Sequence, residues 1–313
     1  MGIYRELRAG GPYTTTVKRS KTALIVGASG FIGSSLALRL REEFKVYGTY
    51  FRHPFRIPGV TPIKLDAAIR DDVKRIVYSI SPEIVIYAGG RNDVIWAEDS
   101  DREADRVHAN GPVNVVTTAG ILQPRFIFLS NNYVFDGRKG NYVEDDIVLP
   151  VYNLGKNKLS SEKYFMGTPN FVIVRSAPVY GRGIGLSLSF LDKVRVMLSK
   201  GIRLDVSNNE LFNYAPVHGL VDMIANLVDG GPRNVILHYG GLTKIGEYDF
   251  IKAFAERFGL PTSSLTMREP QTSEFVVSST LDYSLNFTKA VEALRVPALS
   301  LEDGLELFAG LTK

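Results

Sequence analysis

Apolar positions over residues 22–175 fall into two alternating rhythms. Continuous apolar runs of strand length stand at 22–26, 45–50, 61–65, 83–87, 125–129 and 171–175. Between them, near 31–41, 71–79, 100–121 and 153–166, apolar residues recur at the spacing of a helix with one buried face. Such alternation predicts a parallel sheet with helices on both faces, a Rossmann-type doubly wound α/β fold. After Arg175 the beat weakens. Gly181-Arg182-Gly183-Ile184-Gly185 reads as a flexible loop, with helices following near 187–200, 217–229 and 246–258. Strands are expected near 202–206 and 234–238, and Ser300 with Asp303 forms a capping box that opens a last helix. The expected organisation has three parts: a basic leader over 1–20, a dinucleotide-binding Rossmann domain over 21–175 to which 215–240 returns, and a smaller C-terminal α/β substrate lobe from 176–214 and 241–313.

Composition narrows the choice of chemistry. The 313 residues suffice for a substantial core, and 45% hydrophobic with 22% charged residues is ordinary for a globular chain. A net charge of +4 is too small and dispersed to suggest nucleic acid or a membrane surface as partner. There is no cysteine, which removes disulfides, thiolate catalysis and cysteine metal sites. His53, His108, His218 and His238 lie far apart, without metal-ligand spacing. The longest apolar runs, such as Ile84-Val85-Ile86-Tyr87-Ala88, are too short to span a bilayer, and residues 1–20 lack the apolar centre of a secretory signal. Those twenty residues read as a mobile leader or a strap on the fold, and a cytoplasmic location is the default expectation.

The first strand runs directly into Gly27-Ala28-Ser29-Gly30-Phe31-Ile32-Gly33, and a helical pattern follows. Strand, glycine-rich turn and helix together present backbone N–H groups and the positive end of a helix to a pyrophosphate. Gly27 permits the tight turn, Gly30 lets phosphate approach, and Gly33 lets helix pack on strand, so Gly27, Ser29, Gly30, Phe31, Ile32 and Gly33 are the candidate cofactor-binding residues of this turn. Further contacts are expected beyond the carboxyl ends of the other strands. After the second strand, Arg52 stands where NAD binding calls for an acidic residue, and a guanidinium suits the 2′-phosphate of NADP. Asp66 could accept from the adenine amino group or simply cap the next turn, and Ala88, Gly89 and Gly90 would let backbone approach the cofactor.

The succession GASGFIG, PEIVIYAGGRNDVIWAEDS, VHANG, FIFLSNNYVFDG and EDDIVLPVYNLGKNKLSSEK resembles the extended short-chain dehydrogenase/reductases. Within them it is most similar to the dTDP-4-dehydrorhamnose reductases, a group that includes the regulatory beta subunit of methionine adenosyltransferase. The resemblance implies hydride transfer from NADPH to a nucleotide-linked keto-sugar by an Asn, a Ser or Thr, a Tyr and a Lys. On this chain it assigns the Asn to Asn110 and the Lys to Lys158. The hydroxyl position becomes Asn131 in Ser130-Asn131-Asn132-Tyr133, and the proton-donor Tyr becomes Leu154 in Leu154-Gly155-Lys156-Asn157-Lys158. Tyr152 with Lys156 repeats the Tyr-to-Lys spacing two residues early, but two positions turn a helix by about 200°, so both pairs cannot face one nicotinamide. Further on, Asn209-Glu210 replaces a common Asp-Gln, Pro216-Val217 a Pro-Thr, and Ser279-Thr280 an Arg-Pro. Two functions therefore stand side by side: a reductase with a degenerate Tyr position, taking a nucleotide-sugar substrate, or a catalytically silent NADP-binding regulatory or scaffold subunit with a protein partner. A sugar epimerase or dehydratase would also need the missing tyrosine. Homo-oligomerisation is left open.

Overall fold

The computed structural model describes residues 21–184, 188–268 and 280–310; the leader over 1–20, Gly185 and Ser279 lie outside them. Seven strands build the central sheet: β1 (Thr22–Val26), β2 (Lys45–Tyr50), β3 (Val60–Lys64), β4 (Ile84–Tyr87), β5 (Arg125–Asn131), β6 (Phe171–Ser176) and β7 (Val235–Tyr239). They are all parallel, in the order β7-β6-β5-β4-β1-β2-β3. The apolar runs are unbroken because both faces are covered. In β1, Ala23 and Ile25 enter one core, while Leu24 and Val26 enter the other.

The first face carries α1 (Phe31–Leu40), and the opposite face carries α2 (Arg70–Ile80). The single helix expected over 100–121 is instead a succession. After α3 (Val94–Asp99) come α4 (Asp101–Asp105), a π-helical turn over Arg106–Asn110 and α5 (Gly111–Ala119). Pro112 at the start of α5 cannot donate into the preceding turn, which is consistent with the break there. Tyr87 Oη donates to the Val107 carbonyl at 3.1 Å, and Ser161 Oγ donates to the His108 carbonyl at 2.7 Å. Then follow α6 (Asn153–Met166), α7 (Phe190–Ser199), α8 (Val217–Asp229), α9 (Glu247–Arg257), α10 (Thr288–Leu294) and α11 (Leu301–Gly310). Helices α8 and α10 join α1 on the first face, and α5 and α6 join α2 on the other. Ser300 and Asp303 exchange the reciprocal bonds of a capping box at the start of α11.

A third core gathers α7, α9 and α11 around short strands, among them Glu210–Phe212, which pairs with Ile245–Gly246 and Leu281–Asp282. Strand order reverses between β1 and β4, and their carboxyl ends open the crevice in which such folds take ligands. No helix among the described residues is long and apolar enough to cross a membrane.

Candidate functional site

The glycines at the crevice are demanded by contact. Gly27 has φ +87°, and a Cβ there would stand 2.6 Å from the Gly89 Cα, so the turns after β1 and β4 pass backbone against backbone. A Cβ on Gly33 would collide with the Gly27 carbonyl, which is how helix and turn pack so closely. The turn closes through Gly30 N–H to the Gly27 carbonyl at 3.0 Å, and Thr49 Oγ1 accepts from Gly27 N–H at 3.1 Å.

Two cavities meet across this crossing and share Gly30, Ala88, Gly89 and Gly90 as a common wall. The first, about 500 Å³, is lined by Gly27, Ser29, Arg52 and Asp66 among others. Asp66 faces this cavity, and its Oδ1 accepts from Ala68 N–H at 3.1 Å, which caps the turn as the sequence allowed. Its other oxygen pairs with Arg106. Arg52 is exposed, with a loose 3.7 Å contact to Glu103, and its guanidinium stacks 5.2 Å from the Phe51 ring. The cavity thus offers a cation of low commitment beside polar and aromatic surface, as a 2′-phosphate and a base require.

The second cavity, about 390 Å³, is lined by Phe31, Ile32 and Lys158. Lys158 is buried, donates to the Leu129 carbonyl at 2.8 Å and lies 5.1 Å from the Phe128 ring. Burial pulls its ammonium down to about 8, with Glu162 opposing. His108 lines the same wall. Its Nε2 faces the Arg91 carbonyl at 2.8 Å, and since a carbonyl can only accept, Nε2 carries the proton and Nδ1 is a bare acceptor. Burial, reinforced by Lys158, pushes this ring down to about 3, so it is neutral. Nδ1 of His108 and Oγ of Ser130 are both buried without a hydrogen-bond partner, and both residues line the cavity. Buried polar atoms left unpaired in a cavity wall fit a polar ligand there.

Other expected residues fall elsewhere. Asn110 is exposed and donates to Asp105 Oδ2 at 2.7 Å; the π-turn brings His108, not Asn110, to the cavity. Asn131 is buried outside the lining, donating to Asn92 Oδ1 at 2.9 Å and accepting from Tyr133 N–H at 3.1 Å, while its neighbour Ser130 faces in. Tyr152 caps α6 with its hydroxyl donating to Glu210 Oε1 at 2.9 Å, and Lys156 is exposed, so the early Tyr–Lys pair does not meet at the cavity. Leu154 is completely buried in a small cluster with Ala97 and Ala104, against Trp96 and Tyr133. Gly33 lines neither cavity and packs α1 against the Gly27 turn. Sequence reasoning missed His108 and Ser130; the only trace of Ser130 was its place at the carboxyl end of β5, and helical periodicity holds no sign of the π-turn that aims His108. No group of three or more His, Cys, Asp or Glu among the described residues could hold a metal ion.

Residues 21–282 match the family described as the RmlD substrate binding domain. A dTDP-4-dehydrorhamnose reductase of Mycolicibacterium smegmatis is 28% identical over 239 residues, 75% of this chain and 69% of that protein. The methionine adenosyltransferase 2 subunit beta of Xenopus laevis is 27% identical over 260 residues, 79% of this chain and 75% of that protein. Among solved structures, a dTDP-4-dehydrorhamnose reductase of Bacillus anthracis in complex with NADP superposes with a TM-score of 0.77 at 20% identity, covering 93% of this chain and 98% of that one.

Proposed function

The chain belongs to the RmlD substrate binding domain family, and from that premise we propose that it binds NADP(H) across the β1–β4 crevice and reduces a nucleotide-linked keto-sugar with a weakened acid site. The pair of cavities joined at Gly30, Ala88, Gly89 and Gly90 carries this reading: its Arg52 side suits the 2′-phosphate, and its Lys158 side suits the nicotinamide. NADPH, when bound, supplies a hydride to the ketone carbon. Lys158, with one bond to the Leu129 carbonyl, has N–H groups left for a ribose, and Ser130 Oγ can donate to a ketone oxygen. Phe31, Ile32 and Val179 exclude water from the same wall. The phenol that would protonate the oxygen is missing at Leu154, and the loss of one placed acid costs about 10²–10⁴ in rate.

That same burial of Leu154 favours a second reading, an NADP-binding regulatory subunit without turnover. Stopped-flow oxidation of NADPH by dTDP-4-dehydro-6-deoxyhexose, alongside NADPH fluorescence titration, separates the two. Slow oxidation, accelerated in Leu154→Tyr, supports the reductase. Tight NADPH binding with no oxidation by either protein leaves the subunit reading.

A further inference from the structure

The wall of the second cavity that Glu210–Phe212 and α9 supply has a chemistry that hydride transfer does not call upon. Glu210, on the short strand Glu210–Phe212, and Glu247, the first residue of α9, both line it together with Phe212 and Tyr214. The Tyr152 hydroxyl fixes one oxygen of Glu210 at 2.9 Å, leaving the other for a ligand. Tyr214 is held rigid by stacking on Phe250, ring centroids 3.9 Å apart. Among the described residues no ion pair reaches either carboxylate, and Lys158, beside the cofactor loop, is the single cationic side chain in the lining. Burial pushes both carboxyls up, and Glu210 pushes Glu247 further, with exposed Arg268 offsetting part of this. Two half-buried carboxylates without a cation are costly unless a ligand brings one. The unpartnered Ser130 Oγ and His108 Nδ1, each more than nine-tenths buried, line the same cavity and independently mark it as a ligand site.

We propose that the sugar taken by this cavity carries a protonated amino group, held between Glu210 and Glu247 beside the Tyr214 ring. The inference rests on the nucleotide-sugar reading above and specifies its substrate. An ammonium has three donors to divide between two carboxylates, and the nearby aromatic face adds to the attraction. A diphosphate is repelled by the same carboxylates and so lies away from them, which leaves the sugar as the part of the ligand beside Glu210 and Glu247.

Calorimetric titration of the NADP-saturated protein tests this with dTDP-linked 3-amino-3,6-dideoxyhexose, its 4-amino isomer, their N-acetylated forms and dTDP-rhamnose. One amino isomer is expected to bind at least about tenfold tighter than dTDP-rhamnose, since a charge-assisted hydrogen bond contributes that much. Acetylation, which removes the charge, should erase the advantage, as should Glu210→Gln and Glu247→Gln, with circular dichroism reporting their folding. If dTDP-rhamnose binds as well as both amino isomers, or the preference survives both substitutions, the inference is overturned and the reductase reading stands. If NADP binds but no nucleotide sugar does, the substrate class of that reading falls, and this inference with it.

Discussion

Lys158 keeps its ammonium in surroundings that disfavour it. Its pKa lies at about 8 in the fold and near 10.4 in an unfolded chain. Between those values the unfolded state binds more protons, so stability rises with pH across that window; below pH 8 the full desolvation penalty is present. Replacing it by Met removes the titration. In urea denaturation, Lys158→Met should be the more stable protein at pH 7, by up to about 3 kcal/mol, and the gap should close between pH 8 and 10. A constant gap would mean the ammonium is not desolvated. At the other end of the crevice the proposed NADP reading turns on Arg52, because Arg106 is already committed to Asp66 while Arg52 holds only a loose 3.7 Å contact. Arg52→Ala should therefore lower affinity for NADPH about tenfold and leave NADH almost unchanged. Equal losses for both cofactors would place the 2′-phosphate elsewhere.

Elements were legible in the sequence where burial dictates every position. Strands 22–26 and 45–50 and helices 153–166 and 217–229 form within the bounds their apolar patterns set, because each packs between two layers or carries one continuous apolar face. The strands of the third core are two or three residues long, too short for any periodicity to register. Helix α3 hides for a related reason: six residues capped by Asp93, which accepts from Trp96 N–H at 2.9 Å, make less than two turns. The π-turn had the largest consequence, since it carries His108 into the cavity lining and leaves Asn110 exposed. Its partner is Gly90, at φ +114°, whose missing side chain leaves room for the His108 ring. Gly90→Ala should displace that ring and strain the backbone, lowering stability by about 1–3 kcal/mol in thermal or urea unfolding and weakening NADP binding in parallel. Unchanged NADP affinity in a destabilised variant would detach the π-turn from the cofactor site.

At the scale of the whole molecule, the crevice joins two bodies of structure built by different rules. The β1–β4 turns supply the glycine wall, and the third core supplies Phe190, Phe212, Tyr214 and Glu247 across the second cavity. On the proposed reading, a ligand confined to the first cavity would leave Glu210–Phe212 and α9 untouched, whereas a full dinucleotide would extend past Gly30 and Gly89 to Lys158 and border them. Both should stabilise the fold by mass action, by about 2.7 kcal/mol at a hundredfold excess over Kd, but they should protect different backbone. Hydrogen exchange with adenosine 2′,5′-bisphosphate is expected to slow amides around Gly27–Gly30, Arg52 and Asp66, and not those of Glu210–Phe212. With NADP the protection should extend to Glu210–Phe212 and the first turn of α9, because a ligand that spans the cavity would tie them to the sheet and suppress their local opening. Identical protection patterns from the two ligands would show that the second cavity plays no part in holding the cofactor, and Lys158 would then need another explanation for its burial.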